Sequence, residues 1–225
     1  MRLLVIECAT ECCSVALFEQ DRLLGGTAQV LGRGHAEALV PMIAALPGKG
    51  QAQRIAVSLG PGSFTGLRVG LAAARALALA WRAELLGYPT LALVAAMARA
   101  EASSRTDEAP VSVAMSGGHG EWFLGEFGPD GAALAPPKSL TPAAAAQAAR
   151  ADSVAGSQAA ALVAARGFGQ ALKILPDARQ LLLLDPALLS QVVQLHYGRA
   201  PDARLPGGTL LSDTLFDGAW TGTPQ

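Results

Sequence analysis

One stretch constrains this chain more than any other: Ser58-Leu59-Gly60-Pro61-Gly62-Ser63-Phe64-Thr65-Gly66-Leu67-Arg68-Val69-Gly70. The apolar run Ile55 to Leu59 predicts a strand, Gly60 to Thr65 a loop, and Gly66 to Arg82 a helix. A strand, a tight loop and a helix in immediate succession belong to an α/β layout. Gly60 and Gly62 permit a backbone approach that a Cβ prevents, and Ser63 or Thr65 can cap the helix. Free N–H groups at a helix start favour negative charge, so Gly60, Pro61, Gly62, Ser63 and Thr65 form a candidate anion or nucleotide loop. The segment lacks both the lysine of a P-loop and the G-x-G-x-x-G spacing of a dinucleotide site, and a plain strand-to-helix turn also explains it.

The helix that follows is apolar nearly all round. At 100° per residue, Gly66, Gly70, Ala73, Leu77 and Trp81 share a face small enough for another backbone to approach closely. Arg68, Arg75 and Arg82 recur at two-turn intervals on the opposite line, rimmed by Leu67, Leu71, Ala78 and Leu79. One reading is a buried face with arginines in solvent. The other is a protein-docking helix, in which arginine and apolar anchors belong together. On the second reading the partner interface comprises Gly66, Arg68, Gly70, Leu71, Ala74, Arg75 and Ala78. Leu39, Pro41 and Ile43 join it from a preceding helix whose apolar residues run from Ala36 to Leu46. Pro41 predicts a kink or a late start there.

Elsewhere the pattern alternates between strands and helices. Leu3 to Cys8, Ser14 to Phe18 and Arg22 to Val30 read as an antiparallel meander. Leu85 to Gly87 and a helix from Thr90 to Ala100 complete a first unit, residues 1–100. The polar stretch Ala102 to Pro110 is the expected boundary. A second unit, residues 111–225, begins with strands Val111 to Met115 and Trp122 to Phe127. A helix capped by Thr141-Pro142, a strand at Ser153 to Gly156 and a helix from Ser157 to Arg166 follow. A last helix is expected from Pro186 to Gln194, then an extended tail from Leu195 to Pro201. The fold class is therefore α/β, in two similar mixed units.

Composition narrows function. Half of the residues, 51%, are hydrophobic, but many of these are alanine, which favours helix more than it adds buried area. No uninterrupted apolar run reaches the eighteen or so residues of a membrane span, and Glu7 breaks the opening run, so a soluble cytoplasmic protein without membrane contact is expected. Seventeen basic residues against eighteen acidic ones give no footprint for gripping nucleic acid unaided. Cys8, Cys12 and Cys13 crowd into one hairpin, while His35, His119 and His196 lie apart, so packed thiols are expected and neither a metal nor another cofactor.

The block Gly60 to Arg68 resembles the TsaB family, together with Val5-Ile6-Glu7-Cys8-Ala9-Thr10, the Pro41-containing helix and the tail Tyr197-Gly198-Arg199-Ala200-Pro201-Asp202-Ala203. The resemblance implies two actin-like, Hsp70-like lobes. It also implies a noncatalytic subunit of the bacterial machinery that makes threonylcarbamoyladenosine at position 37 of tRNAs. In that setting a TsaD-like subunit holds the metal and performs the transfer, a TsaE-like ATPase joins it, and tRNA is met only through the complex. First-lobe helices of the family pack as a homodimer when alone, or against the TsaD-like partner. Two departures bear on chemistry: Glu7 stands where relatives usually have aspartate, and Ser116-Gly117-Gly118 where they usually read Asp-Ala-Arg. An actin-like ATPase places an aspartate and a glycine in its first phosphate loop, which Glu7 to Thr10 lacks. An actin-like ATPase or sugar kinase is the alternative function; a glycoprotease-like peptidase has no nucleophile or metal motif here to support it.

Overall fold

Apolar residues on consecutive positions, rather than alternate ones, mark strands covered on both faces. β1 (Arg2–Glu7) and β2 (Cys12–Glu19) are of this kind, buried along nearly their whole length. β2 pairs antiparallel with both β1 and the half-buried edge strand β3 (Arg22–Val30). The computed structural model describes residues 1–102 and 109–198. After β3 come α1 (His35–Ala44), a 3-10 turn (Pro47–Gly50), β4 (Arg54–Ser58), α2 (Phe64–Trp81), β5 (Glu84–Tyr88) and α3 (Thr90–Ala102). β4 lies parallel to β1 and β5 parallel to β4, giving the sheet order β3-β2-β1-β4-β5.

The second sheet repeats that plan. Its elements are β6 (Val111–Gly118), β7 (Glu121–Phe127), β8 (Lys138–Leu140), α4 (Pro142–Ala148), β9 (Ser153–Ala155), α5 (Ala159–Arg166) and β10 (Gln170–Leu172). The order β10-β9-β6-β7-β8 places its first strand centrally, with an antiparallel hairpin on one side and parallel strands on the other, as in the first sheet. This duplication is the two-lobed actin-like arrangement that the sequence resemblance implies.

Two faces of β1 feed two cores. Leu4 and Ile6 pack with Val57, Leu71 and Ala74 beneath α1 and α2. Val5 belongs to a cluster that runs through Tyr88 and Leu91 to Val113, Met115 and Phe123, so one apolar core joins both sheets. α3 lies between them, with Leu91, Val94, Ala95 and Ala98 all buried. Its alanines let the second sheet, at β6, β7 and β9, approach its axis closely, which is where the chain's alanine richness has a structural use.

Several expectations change. α1 starts at His35 and carries Pro41 within it on the exposed side, rather than beginning after the proline. No helix spans Pro186 to Gln194. After a 3-10 turn (Pro186–Leu188), Ser190 exchanges two backbone hydrogen bonds with Gly87 on β5, which holds the following residues extended. Another 3-10 turn (Ala178–Leu183), absent from the sequence reading, packs on the first sheet, where Ala178 N–H donates to Ser14 Oγ at 2.9 Å. Ser157 does not cap α5; its hydroxyl accepts instead from Ser116 N–H at 3.1 Å. Most of the expected boundary, residues 103–108, and the tail from Arg199 onward lie outside the described residues. By length and composition α2 is apolar enough to cross a membrane, but one face of it is packed into the lobe and Arg68 and Arg75 lie within it.

Candidate protein-docking surface

The loop between β4 and α2 is held by the chain's own backbone. Gly60 N–H donates to Thr90 Oγ1 at 3.1 Å, and Ser63 N–H to Ala9 O at 2.6 Å. Ser63 caps α2 as expected, its Oγ accepting from Gly66 N–H at 3.3 Å. A Cβ at Gly62 would run into Ala9 O, one at Gly66 into Cys8 O, and one at Gly60, where φ is +96°, into His196 O. Close contact with the β1–β2 turn and with the C-terminal segment thus accounts for all three glycines without a ligand. Of the other loop residues, Pro61 is buried, while Ser63 and Thr65 are exposed.

Glu7, at the end of β1, is fully buried. Ala9 N–H donates to its Oε1 at 2.7 Å, and its Oε2 lies 3.1 Å from the Tyr88 hydroxyl, which is also 3.2 Å from Ile6 O. Burial outweighs the hydrogen bonds from Ala9, Ser58 and Tyr88 and, helped by the nearby charge of Asp177, pushes the carboxyl up to about 7. A neutral Glu7 satisfies every group: its own O–H goes to Tyr88, and the Tyr88 O–H to Ile6 O. The glutamate therefore faces inward as a structural acid. Beside it, His35 Nε2 lies 2.9 Å from Thr10 O and ties α1 to the same turn. Ser116 is exposed and bonded to Ser157 and Gln158. Among the described residues no three His, Cys, Asp or Glu side chains are placed to hold a metal ion.

The expected interface residues divide into two groups. Gly66, Gly70, Leu71 and Ala74 are buried in their own lobe, and so are Leu39 and Ile43 on α1. The small face of α2 does admit a second backbone, but it is that of the β1–β2 turn: Gly70 sits where a Cβ would be 3.2 Å from Cys8 Cβ. These six are core residues, which corrects their assignment to a partner surface. Arg68, Arg75 and Pro41 are exposed and Ala78 is partly so. The open face of α2 instead carries Phe64, 53% exposed, Ala72, Ala76 and Leu79, 84% exposed; on α1, Val40 is 62% exposed. Leu79 stood in the sequence as a rim residue of the arginine line; Val40 fell in the apolar pattern of α1 and Phe64 in the expected loop, and neither gave a sign of facing outward.

Two of the three arginines bind the chain's own C-terminal segment. The Arg68 guanidinium lies 3.6 Å from the Phe64 ring centre and its Nε donates to the Tyr197 hydroxyl at 3.1 Å. Phe64 and Tyr197 stack with centroids 4.9 Å apart. Arg75 Nη2 donates to Val193 O at 3.3 Å, and His196 N–H to Leu59 O at 2.8 Å. Residues 190–198 thus run from the edge of β5 along α2 and over the loop, and Gly198 rests between Pro61 and Phe123 of the second sheet.

Comparison with known proteins gives this arrangement a family. Residues 25–175 match the family described as TsaD: tRNA N6-adenosine threonylcarbamoyltransferase. The tRNA threonylcarbamoyladenosine biosynthesis protein TsaB of Escherichia coli (strain K12) is 37% identical over 100 residues, which are 42% of this chain and 43% of that protein. The chain thus matches less than half the length of that relative. Two solved structures from Pseudomonas aeruginosa, one named YeaZ and the other an uncharacterized protein with similarity to peptidase YEAZ, superpose with TM-scores of 0.66. They are 28% and 29% identical, respectively, and each superposition covers 81% of this chain and 89% of the other. With the family model spanning more than half of its residues, this chain belongs to the TsaD family, within its TsaB/YeaZ group.

Proposed function

We propose that this protein is a noncatalytic scaffold subunit in the formation of threonylcarbamoyladenosine in tRNA, docking through α1 and α2 onto a TsaD-like catalytic subunit. The observation that carries this reading is the open face of α2. A helix that already buries one face in its lobe presents Phe64, Ala72, Ala76 and Leu79 outward, and Val40 of α1 is exposed as well. Large apolar side chains turned outward on a helix already packed on its other side mark an interaction site. Alone, the protein pairs with a second copy through this face; in the cell the TsaD-like subunit takes it, a TsaE-like ATPase completes the assembly, and tRNA is reached only through the complex.

The site chemistry supports a role without catalysis. The loop glycines are committed to backbone contacts, and the only acid at the end of β1 is inward-facing. Depletion in the native host, followed by nucleoside analysis of its tRNA, tests the reading. Threonylcarbamoyladenosine should disappear and return on complementation, while the purified protein alone should neither hydrolyse ATP nor modify tRNA. An unchanged nucleoside profile refutes the pathway, and ATP turnover that survives rigorous purification refutes the noncatalytic role.

A further inference from the structure

Cys8 and Cys13 face each other across the β1–β2 turn. The antiparallel register pairs Glu7 with Ser14, and one step further along it sets Cys8 opposite Cys13, with their sulfurs 3.7 Å apart. Both belong to the apolar cluster beneath α1 and α2. Cys12, one position away, lies on the other face of the strand, where it senses the charge of Asp177. We propose that Cys8 and Cys13 form an oxidative modification site, at which a peroxide joins the two thiols in a disulfide and leaves Cys12 reduced.

The chemistry follows from the pairing. The two sulfurs share an S–H···S hydrogen bond, which draws the Cys13 thiol below its ordinary value and, together with burial, holds Cys8 well above its own. Cys13 as thiolate attacks one oxygen of hydrogen peroxide; the O–O bond breaks, Cys13 becomes a sulfenic acid, and the departing hydroxide takes up the proton that the thiol released. The Cys8 sulfur then attacks the Cys13 sulfur, the S–O bond breaks, and the hydroxyl leaves with the Cys8 proton as water. Two thiols and one peroxide thus give one disulfide and two waters, the sulfurs oxidised and the peroxide oxygens reduced. The sulfurs must close from 3.7 Å to about 2.05 Å, a movement confined to the short turn between them. Both thiols are closed to solvent in the native state, so the reagent enters through local opening of that turn. Gly66 and Gly70 rest on Cys8, so the new bond fastens the seat of α2.

The test is peroxide titration of the full chain at neutral pH, denaturing alkylation, and cleavage after glutamate. Cuts at Glu7, Glu11 and Glu19 separate the Cys8 peptide from the Cys12-Cys13 peptide. The expected result is a chain lighter by two hydrogen atoms, the two peptides linked, free thiols reduced from three to one, and full reversal by a reductant. Cys12→Ser should keep the link and Cys13→Ser should lose it. If the latter fails to fold, fragmentation of the wild-type linked peptides identifies the sulfurs. The proposal is overturned if all thiols survive doses that oxidise the methionines of the same sample. A link through Cys12, or sulfinic acid without a link, overturns it equally.

Discussion

At the scale of single residues, Glu7 shows how a position associated with chemistry can be taken over by packing. Its folded pKa, about 7, stands above the ordinary 4.5, so the folded state holds a proton that the unfolded chain has released. The consequence for stability has a fixed sign. Below pH 4.5 both states are protonated and Glu7 costs nothing; between about 4.5 and 7 stability falls as pH rises; above 7 the loss is complete, at about 3 kcal/mol. Glu7→Gln mimics the neutral acid, and its amide can still accept from Ala9 and donate to Tyr88. Urea unfolding from pH 4 to 8 should show that decline in the wild type and its absence in the variant, which should be the more stable at pH 8. A wild type as stable at pH 8 as at pH 5 would refute the inward, uncharged glutamate. Gly66 belongs to the same scale, because Gly66→Ala drives a Cβ into the Cys8 carbonyl between two rigid backbones. A destabilisation of about 3 kcal/mol or more is expected, since neither backbone can yield cheaply. Thermal melts check it, and an unshifted midpoint would contradict the close approach.

At the scale of elements, the local part of the fold was legible in the sequence and the long-range part was not. β3 matches its sequence range at both ends and α2 starts two residues early, because turn residues and caps act over a few positions. β8 and β10, three residues each, are too short to show alternation. The extended course after Pro186 depends on Gly87, a partner about a hundred residues away, which no local pattern records. For α2 the period was readable but its orientation was not. With apolar residues all round, only the neighbouring turn decides that Gly66, Gly70, Leu71 and Ala74 go inward, while Arg68 and Arg75 stay out as the sequence allowed. Those two arginines are neither simply solvated nor free for a partner, since they hold residues 193–197. Arg68→Ala removes contacts with two rings, Phe64 and Tyr197, and one hydrogen bond at an exposed site, together worth about 1 kcal/mol. Amide hydrogen exchange at 193–198 should then quicken by about fivefold, with the melting temperature nearly unchanged. Unaltered exchange would mean that the backbone bonds of Ser190 and His196 hold the segment by themselves.

At the scale of the whole molecule, the two sheets and α3 share one apolar core, and residues 190–198 cross from the first sheet toward the second. Among its exposed large apolar side chains, Val40, Phe64 and Leu79 lie on α1 and α2. Leu79 is the cleanest probe of that surface. At 84% exposure it makes almost no contact within the chain, so Leu79→Glu should change folding stability by no more than about 0.5 kcal/mol. In an interface the same substitution buries an uncompensated charge, which costs several times as much and weakens association tenfold or more. Analytical ultracentrifugation of the protein alone and mixed with a TsaD-like subunit separates the possibilities. Loss of both associations at an unchanged melting temperature places both partners on the α1–α2 face, and loss of one assigns the face to that partner. Wild-type behaviour in both removes this face as a docking surface, because no protein can cover Leu79 and remain indifferent to a carboxylate there.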